Sequence, residues 1–262
     1  MDVLSRNNVV VTGRPDGPVL LFAHGFGCDQ TMWRQLVPAF EADHRVVRYD
    51  LTGAGGSDVS AYDRERYGTL QGHADDVLAI CAALDLRDVV FVGHSVSATI
   101  GVLAAAAEPD RFAKLVLVAP SPCFIDDGDY VGGFTRADVE GLLDSLDSNY
   151  LGWSAAMAPV IAGPANPAAG AELTGSFCRT DPEVARHFAR VTFLSDNRAD
   201  LARVRTPALV LQCSADALAP ESVGRYVHER LAGSRLVVLA ATGHCPNLSA
   251  PAETAAAIRA FL

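Results

Sequence analysis

The chain has 262 residues, half of them hydrophobic, and a formal net charge of −10 at pH 7. This length predicts one domain of α/β type with room for an inserted subdomain, and the hydrophobic content excludes a disordered chain. The acidic balance, without any Lys- or Arg-rich block, argues against nucleic acid and against a membrane surface as partners.

The N-terminal segment, Met1–Asn8, has no basic stretch followed by an apolar one, and no apolar run approaches the roughly 20 residues that span a bilayer. Neither a signal peptide nor a membrane span is therefore predicted. The six cysteines lack the CxxC spacing of zinc or redox sites: Cys28, Cys81, Cys123, Cys178, Cys213 and Cys245. Dispersed thiols of this kind predict reduced side chains in a cytoplasmic protein without disulfide, metal or cofactor.

Strand and helix patterns alternate through the first 120 residues. Runs of β-branched and aromatic residues predict strands, and apolar residues at helical spacing predict helices. Continuous apolar runs are typical of strands buried on both faces of a parallel sheet. We expect strands over Val9–Thr12, Val19–Ala23, Arg45–Tyr49, Val89–Val92 and Lys114–Ala119, and helices over Thr31–Glu41, Leu70–Leu84 and Val96–Ala107. Asp75 and Asp76 are expected on a solvated face of the second helix.

Two glycine-containing loops follow early strands. In the run His24–Gly27 (His-Gly-Phe-Gly), glycines let the backbone approach a ligand closely; the alternative is only a tight turn at the end of the strand. His24 is predicted to have a structural role. The run Asp50–Asp58 lacks the Lys-Ser or Lys-Thr ending of a phosphate-binding P-loop, so that function is rejected. It is predicted to be a turn in which Asp50 and Ser57 hydrogen-bond the backbone.

The alternation stops between Pro120 and Arg205. Four helical patterns separated by prolines occupy this stretch: Thr135–Asp147, Asn149–Ile161, Pro167–Phe177 and Pro182–Leu194. Four helices that interrupt a β/α rhythm predict a cap, residues 121–205, inserted into a core of residues 1–120 and 206–262. The rhythm resumes with strands over Ala208–Cys213 and Arg235–Leu239 and with helices over Pro220–Leu231 and Pro251–Leu262.

The stretch Val90–Ala98 carries the most specific motif. Strand residues end at Gly93, Ser95 follows two residues later, and an Ala-rich helix begins at once. This is the G-x-S-x-G nucleophile elbow, with Ser97 at the last glycine position. Such a turn exposes the serine hydroxyl to a base and leaves the Val96 N–H at a helix N-terminus. The alternative is a plain strand–turn–helix connection whose serine only caps the helix.

Asp216 follows the penultimate strand and His244 follows the last one, which gives the order Ser95, Asp216, His244 of the α/β-hydrolases. We predict Ser95 as nucleophile, His244 as general base and Asp216 as the group that holds the tautomer of the base. The N–H groups of Phe26 and Val96 are the predicted oxyanion donors. A lone histidine or aspartate in a loop is more often structural, but chance does not readily produce all these features together.

Serine at the elbow predicts an acyl-enzyme, since haloalkane dehalogenases and epoxide hydrolases carry aspartate there. The substrate is then an ester, a lactone or another activated acyl group, held in an apolar cavity under the cap. Each aromatic residue considered alone is more often core, but those predicted to line the cavity are Phe26, Phe124, Phe134, Tyr150, Trp153, Phe177 and Phe193. His94 is expected to pack beneath the site, and a redox or second-nucleophile role for Cys245 ranks low.

The elbow Gly93–Gly101, the loop His24–Gln30 and the turn Asp50–Gly55 resemble those of the RsbQ-like hydrolases and their plant relatives, the karrikin and strigolactone receptors. Cap segments that fit the same pattern are Ser121–Phe124, Gly132–Phe134 and Asn149–Trp153. The resemblance therefore covers nearly the whole chain. It implies an α/β-hydrolase fold, a V-shaped four-helix cap over a buried hydrophobic pocket, and a slow hydrolase whose turnover is coupled to partner recognition.

For bacterial members, the resemblance implies positive regulation of a general stress sigma-factor pathway through a PAS-domain phosphatase partner. An Ala-rich composition with more Arg than Lys favours a bacterial source with a GC-rich genome. Two functions stay open at this point. The first is an esterase or lactonase that turns over a small apolar substrate; the second is a signalling module that binds a ligand, with little turnover, and recognises a protein through its cap. An exposed apolar patch on the cap helices would distinguish them.

Overall fold

A mostly parallel sheet forms the centre of the computed structural model, which describes residues 2–262 and leaves Met1 of the N-terminal segment outside. Its strands are β1 (Val10–Gly13), β2 (Val19–Ala23), β3 (Arg45–Tyr49), β4 (Val89–His94), β5 (Phe112–Val118), β6 (Ala208–Ala215) and β7 (Arg235–Thr242). They lie in the order β1-β3-β2-β4-β5-β6-β7. Only the β1–β3 pair is antiparallel within the described range. The predicted fold class is confirmed.

Helices cover both faces of this sheet. In chain order they are α1 (Val3–Arg6), α2 (Gln71–Ala83), α3 (Val96–Ala107), α4 (Arg136–Ser148), α5 (Tyr150–Ala162), α6 (Pro167–Arg179), α7 (Pro182–Phe193), α8 (Glu221–Arg230), α9 (Pro246–Ser249) and α10 (Pro251–Phe261). Successive residues of β2 enter opposite cores: Leu20 and Phe22 pack on one side of the sheet, and Leu21 on the other. This two-sided burial explains why the strands read as continuous apolar runs.

The segment predicted as one helix over Thr31–Glu41 forms no α-helix. It contains two short 3₁₀ helices instead, Gln30–Trp33 and Val37–Ala39, so the prediction is wrong in type. Pro38 supplies no N–H for an α-helical hydrogen bond, and its ring clashes with the preceding turn, which disfavours a continuous helix. The spacing of apolar residues still predicts correctly that this segment is buried, since Trp33 is fully enclosed in the core.

Four helices, α4 to α7, stand between β5 and β6, close to the four predicted ones. Side-chain oxygens cap their first turns: Thr135 forms a capping box with Asp138, and Asn149, Asn166 and Asp181 cap the next three helices. We call α4 to α7 the cap helices. On this basis we propose the division into a cap, residues 121–205, and a core, residues 1–120 and 206–262.

Asp76 is buried, so its predicted place on a solvated helix face is wrong, whereas Asp75 is exposed. The Asp76 carboxylate accepts hydrogen bonds from Arg6 (2.5 Å) and Arg66 (2.6 Å). It accepts two more, from Thr52 Oγ1 and the Tyr67 hydroxyl. Two cations and two hydroxyls therefore compensate the loss of water around this charge. Helical phase could not reveal these partners, since all four come from outside the helix.

His73 is fully buried, and neither of its ring nitrogens has a hydrogen-bond partner among residues 2–262. Its ring lies between those of Tyr67 and Phe188, with centroid distances of 4.6 and 4.8 Å. Burial disfavours the charged form and lowers the pKa of His73 to about 3. The side chain therefore packs as a neutral aromatic ring between the core and cap helix α7.

We expect His73→Phe to flatten the pH dependence of stability. The unfolded chain binds this proton near pH 6.5 and the folded chain only near pH 3. Stability therefore falls by about 1.4 kcal/mol per pH unit as the pH drops between these values. Urea unfolding at pH 6.0, 5.0 and 4.5 will show a smaller fall for the variant than for the wild type. Parallel stability curves for the two proteins would contradict this assignment.

No helix within residues 2–262 is both long and apolar enough to cross a membrane. The six cysteines are free thiols, and all except Cys178 are buried. The sheet positions the candidate functional residues: Ser95, Asp216 and His244 lie just past the carboxyl ends of β4, β6 and β7, respectively. Since these strands are parallel, their carboxyl ends meet at one edge of the sheet.

Candidate active site

Ser95 occupies a strained turn between β4 and α3. Its φ of 55° and ψ of −121° lie outside the regions that a non-glycine residue ordinarily adopts, which costs about 1–3 kcal/mol. The turn is held because the Ser95 N–H donates to the Val118 carbonyl at 2.8 Å. Ser97 also contributes: its hydroxyl donates to the His24 carbonyl at 2.5 Å and so ties the elbow to the His-Gly-Phe-Gly loop. The serine at the last glycine position of the elbow motif, Ser97, therefore has a hydrogen-bond partner that holds the elbow in place.

The structure brings Ser95, His244 and Asp216 together. His244 Nε2 lies 2.7 Å from Ser95 Oγ, and His244 Nδ1 lies 2.8 Å from Asp216 Oδ2. The carboxylate accepts only, so Nδ1 carries the proton and Nε2 is free to accept the serine proton. The Ser95, His244 and Asp216 side chains are buried. This is the geometry of a nucleophile, its base and the group that orients the base.

The Asp216 carboxylate is held in its charged form. Burial opposes the charge, but His244 and the N–H groups of Leu218 and Ala219 outweigh it and lower the pKa of Asp216 below its usual value. Those two N–H groups donate to Oδ1 at 2.8 and 3.1 Å, while Oδ2 faces His244. The two carboxylate oxygens therefore have separate partners.

Two further histidines support the site. His94 is buried, and its Nε2–H donates to the His244 carbonyl at 2.8 Å. Burial and the neighbouring His244 lower the pKa of His94 to about 3, so it is neutral at physiological pH. His24 Nε2 accepts the Leu51 N–H at 2.9 Å, which agrees with the structural role predicted for it. In the glycine-containing run Asp50–Asp58, the side chains of Asp50 and Ser57 accept backbone N–H groups, as predicted.

Two backbone N–H groups close to Ser95, one next to it in the chain and one in a residue that lines the same cavity, have no acceptor among residues 2–262. Val96 is the first residue of α3, and Phe26 lies in the His-Gly-Phe-Gly loop. Within residues 2–262 neither of these N–H groups donates a hydrogen bond. A helix N-terminus and an unoccupied loop amide are suited to binding negative charge. The oxyanion role of both stays a prediction.

An apolar cavity opens onto Ser95 and His244. Four of the seven predicted pocket residues line it: Phe26, Phe124, Trp153 and Phe193. Sequence reasoning missed other lining residues, namely Cys28, His94, Ile161, Leu173, Thr192, Leu218 and Cys245. Ile161 follows Trp153 by about two helical turns, so helical phase could have placed both on one face.

Three of the predicted pocket residues do not line this cavity. Tyr150 and Phe177 are buried behind it, where the Tyr150 hydroxyl donates to the Phe177 carbonyl at 2.7 Å. The Phe177 ring stacks on Trp153 at a centroid distance of 5.8 Å and so supports the wall from outside. Phe134 is partly buried and bridges to Ile125 instead. The spacing of aromatic residues in the sequence indicated burial. It could not show whether a ring lines the cavity or lies behind the residues that line it.

Burial raises the pKa of the two thiols that line the cavity. The pKa of Cys28 rises to about 12, and that of Cys245 rises well above its usual value. Both side chains are therefore neutral thiols at physiological pH. Because the thiolate is the nucleophilic form of cysteine, neither side chain is activated as a nucleophile.

Comparison with known proteins identifies the family. A family model described as "Alpha/beta hydrolase family" matches residues 20–257. The chain belongs to this family. The strigolactone esterase D14 of Arabidopsis thaliana is 39% identical over 262 residues, covering 100% of this chain and 98% of that protein. The karrikin insensitive 2 receptor CA of Petunia hybrida is 40% identical over 251 residues, covering 95% of this chain and 93% of the receptor.

Among solved structures, a hydrolase from Oleispira antarctica superposes on this α/β hydrolase with a TM-score of 0.96 at 42% identity. The match covers 99% of this chain and 96% of the other. The two plant relatives confirm the resemblance to the karrikin and strigolactone receptors. The assignment to the RsbQ-like bacterial branch stays a prediction.

Proposed function

We propose that this α/β hydrolase is a serine esterase or lactonase that cleaves a small apolar ester through an acyl-enzyme. One observation carries the proposal: Ser95 Oγ lies 2.7 Å from His244 Nε2 at the wall of an apolar cavity. Relatives named as esterases support the class of reaction. Under this proposal Ser95, His244 and Asp216 are the catalytic residues, with Phe26 and Val96 as oxyanion donors.

The geometry supports the following sequence of steps. Ser95 Oγ attacks the ester carbonyl carbon as its proton passes to His244 Nε2, and the negative charge on the carbonyl oxygen is stabilised by the Phe26 and Val96 N–H groups. Each donor contributes about 3–4 kcal/mol at the transition state. The bond to the alcohol oxygen then breaks, and His244 returns the proton to that oxygen. Water, deprotonated by His244, hydrolyses the acyl-Ser95 ester to the acid and restores the serine.

The cavity favours an apolar acyl group or lactone. Its walls are mainly aromatic, aliphatic and thiol side chains. Its polar residues are Ser95, Thr192 and two histidines, His94 and His244. A few polar groups in an apolar pocket fix orientation, while apolar contacts provide most of the affinity. Relatives named as a strigolactone esterase and a karrikin receptor support a small hydrophobic ligand.

A second candidate is a signalling module that binds such a ligand with little turnover and recognises a protein through its cap. Its support is that relatives about 40% identical are named as receptors. A role in stress signalling with a PAS-domain phosphatase partner, in the cytoplasm of a bacterium, rests on the RsbQ-like resemblance alone. It is kept as part of this second candidate.

The experiment that tests the proposal is hydrolysis of p-nitrophenyl esters of graded acyl length, with mass spectrometry of the intact protein. Steady multiple turnover supports the esterase. A single burst with a persistent acyl mass on the wild type, absent from Ser95→Ala, supports the signalling module. Neither turnover nor adduct with any acyl length would contradict the proposed function.

We expect Trp153→Ala to shift substrate preference towards longer acyl chains. Trp153 lines the cavity, and its ring packs against that of Phe26 in a T-shaped arrangement with a centroid distance of 6.3 Å. Removal of the indole therefore enlarges the acyl-binding space. The ratio of kcat/KM for octanoyl over acetyl ester should rise about tenfold. Leu151→Ala, on the same helix but 58% exposed, is the matched control and should leave the ratio unchanged. Equal losses for all esters would indicate a structural role for Trp153.

A further inference from the structure

The main chain of His244 is hydrogen-bonded on both sides, once to the cap and once to the core. Its N–H donates to the Ile161 carbonyl at 2.7 Å, and its carbonyl accepts the His94 Nε2–H at 2.8 Å. Ile161 lies in the last turn of cap helix α5, which ends at Ala162. Carbonyls in the last turn of a helix lack intrahelical donors, so the His244 N–H fills a vacant acceptor there.

Two glycines allow the end of α5 to touch the loop that carries His244. Gly163 has a φ of +84°, and a Cβ atom there would lie 2.9 Å from the Gly243 nitrogen and from the Thr242 carbonyl carbon. Gly243 has a φ of +85°, and a Cβ atom there would collide with the Ala162 carbonyl. Backbone therefore packs directly on backbone at this junction, and no side chain can be inserted without separating the two segments.

Ile161 also belongs to the cavity wall, together with Ser95 and His244. One residue of the cap therefore lines the cavity and also accepts the main-chain N–H of His244. Asp216 holds the imidazole through Nδ1, but it does not fix the main chain from which the ring extends. The position of Nε2 relative to Ser95 Oγ depends on both attachments.

We propose that the end of cap helix α5, Ile161–Gly163, is a positioning element for His244, which places the base correctly only while this helix end contacts the Thr242–His244 loop. The inference rests on the proposed function, in which His244 is the base. Its consequence is that a ligand or partner that displaces α5 slows turnover without touching Ser95 or Asp216. A displacement of about 1 Å at a reacting group costs about a hundredfold in rate.

The test compares Gly163→Ala with Gly128→Ala. Both glycines lie between residues 121 and 205 and have positive φ, +84° and +58°, so an alanine strains the backbone at either position. Only Gly163 is packed against the Thr242–His244 loop, whereas a Cβ at Gly128 would have no atom within 4 Å. We expect Gly163→Ala to lower kcat about a hundredfold with KM changed less than twofold, and Gly128→Ala to stay within twofold of the wild type.

Circular dichroism and urea unfolding will establish that both variants are folded. Equal kcat values for the two variants would overturn the inference, and so would a loss in Gly163→Ala that lies wholly in KM. Wild-type protein that hydrolyses no ester would instead contradict the proposed function. The two failures are therefore distinguishable.

A measurement on the wild type keeps the inference testable if Gly163→Ala does not fold. In ¹⁵N,¹³C-labelled protein, the hydrogen bond predicts a scalar coupling between the His244 amide nitrogen and the Ile161 carbonyl carbon. Detection of this coupling supports the contact, and its absence overturns the inference. In folded Gly163→Ala the coupling should disappear, and the low-field Nδ1 proton of His244 should shift, while Gly128→Ala keeps both signals.

Discussion

Ser95→Ala will lower kcat for p-nitrophenyl ester hydrolysis by a factor of about 10⁶, close to the uncatalysed background. The hydroxyl is the only group of this side chain that can attack a carbonyl, and it lies 2.7 Å from His244 Nε2. The nearby thiols of Cys28 and Cys245 are held neutral by burial and cannot replace it. Initial rates with acetyl and butyryl esters will measure the loss.

The loss will not come from unfolding. A φ of 55° costs alanine about as much free energy as it costs serine, so the elbow keeps its strain. The free energy of unfolding therefore changes little. Ser121→Ala is the matched control: Ser121 is also buried and its hydroxyl donates to the Cys123 carbonyl, away from His244. It should retain wild-type kcat. Turnover above one part in about a thousand in purified Ser95→Ala would show that another group is the nucleophile.

Features that depend on neighbours in the chain could be predicted from the sequence. The two-sided burial of β2 gives a continuous apolar run, and the elbow around Ser95 requires a strand, a turn and a helix in immediate succession. Because parallel strands end at one edge of the sheet, the positions of Asp216 and His244 after their strands sufficed to predict that they meet Ser95. The structure places all three side chains in one hydrogen-bonded chain.

Features that depend on distant segments could not be predicted. Asp76 is buried because Arg6 and Arg66 reach it from elsewhere in the chain, and no local pattern encodes such partners. The same holds for Tyr150 and Phe177: their helical phase indicates burial, but it does not show that they lie behind the residues that line the cavity. The contact of His244 with Ile161 joins a core loop to a cap helix, so it required the three-dimensional structure.

Asp216→Asn will lower kcat about 10⁴-fold at neutral pH, although asparagine has nearly the same shape. Oδ1 accepts the Leu218 and Ala219 N–H groups, so the amide oxygen of an asparagine will take that position. Its NH₂ group must then face His244 Nδ1 and donate to it. The imidazole proton moves to Nε2, which can no longer accept the serine proton.

The location of the His244 proton separates this mechanism from a simple loss of charge. The pKa of Asp216 lies below its usual value, so the wild-type carboxylate stays charged throughout pH 5 to 8 and the deficit of the variant should persist across that range. Rates measured from pH 5 to 8 will test this, with the exposed Asp129→Asn as control. The low-field Nδ1 proton of His244 should vanish in Asp216→Asn and remain in the control. A variant that retains this proton signal and loses less than tenfold in kcat would show that Asp216 does not determine the tautomer of His244.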